Sequence, residues 1–170
     1  MPSSTITTES DTATRAAGQA LAPLVAPGDV IVLSGDLGAG KTQLTKGLAA
    51  GLGVAEPVTS PTFNILLVHS GRIPLNHLDL YRLEAPEQLD DIDYWGTLES
   101  DGVSVVEWGD RFAEAIPEEC LVISIRITGD DSRALLLESR GLRGEVLAET
   151  WAAACTGLPG VAVSAGGDRS

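Results

Sequence analysis

Gly35-Asp36-Leu37-Gly38-Ala39-Gly40-Lys41-Thr42 fits the pattern G-x-x-x-x-G-K-[ST] in full. Each part of that pattern has a physical task. Gly35, Gly38 and Gly40 permit a tight turn whose backbone N–H groups point inward at a string of phosphates. Lys41 reaches the outer phosphates, and the Thr42 hydroxyl suits Mg2+. The flanks agree. Val30-Ile31-Val32-Leu33 is a short, apolar, β-branched run of the kind that forms a buried parallel strand. Downstream, Leu44, Leu48 and Leu52 recur at i, i+4 and i+8, an apolar helix stripe that Gly53 would end. A helix starting at the loop turns its positive end toward the phosphates. Strand, loop and helix together predict a nucleoside triphosphate site.

Composition sets the boundaries around that site. A chain of 170 residues suits one domain, expected over residues 1–155, and its 44% apolar content is ordinary. No run approaches the ~18 consecutive apolar residues of a membrane span. Residues 1–10 are polar and lack the regions of a secretory signal, so no membrane association and a cytoplasmic location are expected. Cys120 and Cys155 are expected as free thiols. Twenty-four acids against 11 bases give a net charge of −13, and the two lysines, Lys41 and Lys46, both fall in the loop and its helix. Such a chain repels nucleic-acid phosphates, so any role on RNA or DNA is expected to pass through a partner rather than strong direct binding.

Along the chain, Asp11 is placed to cap a helix over residues 12–22. Residues 63–69 and 73–80 read as a β-hairpin across Ser70-Gly71. Residues 86–98 read as one helix, with Leu89, Ile92 and Trp95 on one side. Residues 103–106 form a second buried strand that ends at Glu107. Residues 121–127 alternate, Ser124 and Arg126 opposing the apolar set, and residues 133–138 form another short strand. Residues 145–155 close as an amphipathic helix, and the Gly/Ala/Ser-rich residues 156–170 are expected to be disordered. The order predicts a three-layer α/β P-loop fold with a mainly parallel central sheet plus a β-hairpin.

Hydrolysis needs more than a phosphate cradle. It needs a carboxylate for the metal and a means of placing water. A parallel strand beside the loop's strand would deliver Glu107 to the phosphate crevice. In His77-Leu78-Asp79-Leu80-Tyr81-Arg82-Leu83, strand alternation puts His77, Asp79 and Tyr81 on one face. That cluster suits metal or water positioning, or an ordinary surface hydrogen bond. Two histidines without a cysteine cluster make zinc a poor fit. Asp93-Tyr94-Trp95-Gly96 spells the D-x-x-G of GTPase switches, but the segment before it reads as helix where a strand is required. No N-K-x-D motif occurs, which favours ATP over GTP.

These blocks, in this order, resemble the TsaE (YjeE) ATPases, the ATP-hydrolysing component of the bacterial machinery that makes threonylcarbamoyladenosine in tRNA. The matching residues are the loop from Gly35 to Thr42, then Ser60-Pro61-Thr62-Phe63, then the block from His77 to Leu83, then Glu107-Trp108. The resemblance runs from about Thr14 to about Arg133. One departure is Gly109, where the family often has proline.

The resemblance implies ATP contacts from Asp36, Leu37, Gly38, Ala39, Gly40, Lys41, Thr42 and Gln43. It implies catalytic roles for Lys41, Asp79 and Glu107, with Thr42 and Glu107 holding Mg2+. Ser60, Pro61, Thr62 and Phe63 resemble a switch loop. Trp108 and Gly109 should lie near the nucleotide, with Thr14 and Arg133 on its base and phosphate sides. The implied partner is the TsaD–TsaB complex, which carries the transfer chemistry and most of the tRNA contact, while this chain couples ATP hydrolysis to its turnover. Two alternatives stand beside this: a small-molecule kinase, although no Arg-rich lid is apparent, and a nucleotide-dependent binding switch. Arg72, Arg82 and Arg111 are not obviously placed to act as arginine fingers, so hydrolysis by the isolated chain is expected to be slow.

Overall fold

The computed structural model describes residues 4–35, 39–58 and 65–165. In chain order its elements are β1 (Ser4–Thr8), α1 (Asp11–Leu21), β2 (Val30–Ser34), α2 (Lys41–Gly51), β3 (Leu66–His69), β4 (Leu75–Asp79), α3 (Gln88–Asp91), α4 (Tyr94–Leu98), β5 (Val103–Glu107), β6 (Cys120–Ile127), β7 (Arg133–Arg140), α5 (Gly141–Cys155) and β8 (Val161–Ala165). The strands form one sheet in the order β3-β4-β5-β2-β6-β7-β1-β8. Its centre, β4-β5-β2-β6, is parallel, as the unbroken apolar runs of β2 and β5 require of strands covered on both faces. The flanking pairs are antiparallel.

Helices cover the two faces, giving the expected three layers. Ile31 and Leu33 of β2 share one core with Leu21 of α1, Leu44 and Leu48 of α2, and Trp151 of α5. The alternate residues Val30 and Val32 share the opposite core with Leu89 of α3 and Tyr94 and Leu98 of α4. This alternation makes β2 the shared wall of both cores.

The α1–α2 contact is unusually close, because glycines let the backbones meet. A Cβ built on Gly18 would overlap the Leu44 carbonyl oxygen, one on Gly47 the Arg15 carbonyl oxygen, and one on Gly51 the Ala22 side chain. Gly40 (φ 107°) and Gly53 (φ 79°) bound α2 in left-handed backbone that favours glycine.

Several expectations are corrected. Residues 4–8 form a strand where a polar terminus was expected. Ile6 is fully buried and Thr8 nearly so, while β-branched threonines suit the pleat. Ser10, not Asp11, caps α1: its Oγ accepts from the Ala13 N–H at 3.1 Å. The single helix expected over 86–98 is split at Asp93, whose φ of 52° is left-handed, and Tyr94 rather than the 40% exposed Trp95 faces the core. Helix α5 starts four residues earlier than expected, at Gly141. Within the stretch expected to be disordered, Val161–Ala165 pairs along β1 as an edge strand. Cys120 and Cys155 are free and buried.

Candidate nucleotide and metal site

Three parallel strands end at the same level. Leu33 of β2 lies in register with Glu107 of β5, and Glu107 with Asp79 of β4. Helix α2 follows β2 in the chain, and its first residue, Lys41, lies against Trp108, the residue after Glu107. Both strand-end carboxylates are buried, Asp79 at 6% exposure and Glu107 at 3%.

Lys41 opens α2 and is itself buried. Its Nζ donates to the Gly35 carbonyl at 2.5 Å and lies 4.5 Å from the centre of the Trp108 ring, a cation–π contact. Thr45 donates its hydroxyl proton to the Lys41 carbonyl at 2.9 Å. Thr42, next to Lys41, is half-buried, and the Oε1 of Gln43 is a buried acceptor without a hydrogen-bond partner among the described residues. Arg133 braces the loop from behind. Its Nε donates to the Ala39 carbonyl at 2.9 Å and its Nη1 to the Ser132 carbonyl at 2.7 Å, linking the phosphate loop to the β6–β7 turn.

Glu107 is held across the sheet. Its Oε2 lies 2.5 Å from His77 Nε2, with the imidazole fully buried. One carboxylate oxygen of Asp79 accepts the Tyr81 N–H at 2.9 Å. Trp108, just past β5, takes left-handed backbone (φ 60°) and donates its N–H to the Leu33 carbonyl at 3.1 Å. Its ring packs against Tyr81 with centroids 5.1 Å apart. Gly109 lies so near β2 that a Cβ would stand 2.6 Å from Val32 Cγ1. Glycine thus seats this turn tightly against the strand.

The structure brings Lys41, Asp79, Glu107 and Trp108 to one end of the sheet, with Arg133 behind the loop. Thr14 is buried in α1, with its hydroxyl donating to the Ser10 carbonyl at 3.1 Å and lying 2.7 Å from the Thr8 hydroxyl. Asp36, Leu37, Gly38, Ser60, Pro61, Thr62 and Phe63 lie outside the described residues. Arg72 donates to the Ala22 carbonyl at 2.7 Å and Arg111 to the Leu83 carbonyl at 2.5 Å, so both brace backbone. Alternation grouped His77 with Asp79, but not with Glu107. That bond crosses between strands thirty residues apart and depends on the β4–β5 register.

Comparison with known proteins gives one answer. The family model described as "Threonylcarbamoyl adenosine biosynthesis protein TsaE" matches residues 8–135. The chain is 45% identical over 145 residues to the tRNA threonylcarbamoyladenosine biosynthesis protein TsaE of Streptomyces coelicolor, covering 82% of this chain and 95% of that one. It is 42% identical over 137 residues to the Bacillus subtilis protein of the same name, with 80% and 85% covered. A crystal structure of Bacillus subtilis YdiB superposes with a TM-score of 0.76 at 37% identity, covering 90% of this chain and 97% of that one. With three quarters of its length matched by the family model, this chain belongs to the TsaE family.

Proposed function

We propose that the chain is a Mg2+-dependent ATPase serving threonylcarbamoyladenosine formation in tRNA, coupling hydrolysis to turnover of a TsaD–TsaB complex in the cytoplasm. The observation that carries this reading is that Lys41, at the start of a helix, lies against Trp108, the residue after Glu107, whose buried carboxylate ends a strand in register with buried Asp79. The relatives' names supply the pathway.

The residues fit the ion. Among the described residues no group of three or more His, Cys, Asp or Glu side chains is arranged to hold a metal unaided. Mg2+ characteristically binds through one or two carboxylates, water and substrate phosphates, so a triphosphate would complete such a site. Buried Glu107, whose Oε2 meets His77, and the Thr42 hydroxyl are the hard oxygen donors that would hold the ion. When bound, the ion neutralises charge on the β- and γ-phosphates.

The chain's own part is positioning. The N-terminus of α2 and Lys41 receive the phosphates. Burial of Asp79 and Glu107 keeps them in fixed rotamers, and the Trp108 ring beside Lys41 shields that charge from water. Arg72 and Arg111 are tied to backbone carbonyls, so a transition-state cation from either would need those bonds to open. We therefore expect slow phosphate release by the chain alone and faster release once TsaD–TsaB and tRNA are added. Reconstituted modification should also depend on this chain. A fast rate in isolation that partners leave unchanged would overturn the coupling.

No described helix is long and apolar enough to cross a membrane.

A further inference from the structure

His77 is not needed to explain a phosphate loop, yet it is the side chain that sets the orientation of Glu107. It sits fully buried in the middle of β4, two residues before Asp79 and on the same face. Its Nε2 meets Glu107 Oε2 at 2.5 Å, while Nδ1 is buried without a hydrogen-bond partner among the described residues. The proton therefore belongs on Nε2, where it has an acceptor; on Nδ1 it would be a buried donor without a partner, which costs ~1–3 kcal/mol. With Oε2 engaged by His77, Oε1 is the oxygen left for another ligand. A buried carboxylate with one oxygen engaged has fewer rotamers open to it, so its other oxygen is more narrowly aimed.

We propose that His77 is a positioning residue. Its Nε2–H fixes Glu107 so that Oε1 is presented to the divalent cation that accompanies the nucleotide. This rests on the nucleotide and Mg2+ reading above. It accounts for an imidazole in a wholly buried strand where an apolar residue would pack with less desolvation. The same logic governs metal sites in which outer-shell hydrogen bonds orient the ligands.

Two amide substitutions separate positioning from mere packing. Glutamine can place its side-chain N–H near the position of Nε2, whereas asparagine is too short and reaches only the region of Nδ1. Mn2+ affinity of the ADP-bound full chain, read by electron paramagnetic resonance, is the primary measurement. ADP affinity in EDTA and the thermal midpoint are measured alongside. His77→Asn should weaken Mn2+ binding by about tenfold or more, in the range typical for loss of an outer-shell partner. His77→Gln should stay within about threefold of the parent by the same scale. ADP affinity without metal should be unchanged in both. Unaltered Mn2+ affinity in His77→Asn overturns the proposal. So do equal losses in the two variants, whether of metal affinity or of folding. A parent chain that binds no Mn2+ with ADP overturns the underlying nucleotide and metal reading and, with it, this one.

Discussion

Among the described residues, two contacts hold Lys41 in place. The Gly35 carbonyl and the Trp108 ring draw its ammonium over the loop, so a triphosphate would meet a charge already in place. Lys41→Ala should lower ATP affinity by roughly tenfold or more, since a charge-assisted hydrogen bond contributes ~1.5–3 kcal/mol. Unchanged affinity by calorimetry would remove the assignment. Trp108 should report the same event optically. Its indole borders Lys41 and Tyr81, whereas Trp151 is fully buried with its Nε1–H on the Ala17 carbonyl. Nucleotide should change the fluorescence of the parent, and Trp108→Phe should lose most of that change; a variant with the full signal would place the reporter elsewhere. The strand-end position of Glu107 could be read from sequence because the apolar run before it is local. The His77–Glu107 bond could not, because it exists only once two strands far apart in the chain settle into one register.

Elements were legible where their apolar period was strong and illegible where pairing partners decide. β2, β5 and α2 announce themselves through apolar runs and an i, i+4 stripe. The strand β1 carries Ser and Thr at most positions, so only its neighbours β7 and β8 reveal it as sheet. The same holds for β8, whose small residues look like linker until the edge of β1 is there to bond them. Between these extremes stands α5, tied to the entry of β2 by a two-pronged ion pair. Arg143 donates to Asp29 through Nε at 2.8 Å and Nη2 at 2.6 Å, and Asp29 is buried. The pair holds the Arg143 guanidinium above its ordinary pKa, chiefly through that hydrogen bond. Arg143→Ala would leave a buried carboxylate with the Ala26 N–H. The full cost of breaking a buried pair, ~3–5 kcal/mol, must be reduced because the arginine side is about one third exposed. A loss of about 1–3 kcal/mol in urea unfolding is expected. A loss below about 0.5 kcal/mol, the usual limit for surface substitutions, would show that α5 is held by its apolar face alone.

At the scale of the whole molecule, both thiols lie inside the packed layers. Burial pushes Cys120 up to about 11 and Cys155 up to about 12, and it raises the Tyr94 phenol as well. Because each thiol holds its proton more tightly folded than unfolded, its contribution to stability is intact below pH 9. It is lost as pH rises from about 9, the unfolded value, through the folded values. The native protein at pH 7.5 should therefore resist thiol-specific labelling until denaturant is added, and its thermal midpoint should fall on the alkaline side. Rapid labelling of either cysteine in the native state would contradict the burial described.

The interlock of α1 and α2 has a consequence for which sequences can carry this fold. At Gly18, Gly47 and Gly51 even one extra carbon meets backbone or a packed side chain. Nearby apolar positions such as Leu44 or Leu48 can exchange one hydrophobic shape for another at moderate cost. In a scan of every substitution, these three glycines should therefore be as intolerant as Lys41, though none is proposed to touch the nucleotide. A survey of tolerance alone would mark them as part of the active site, and a stability measurement on Gly47→Ala would tell the two causes apart.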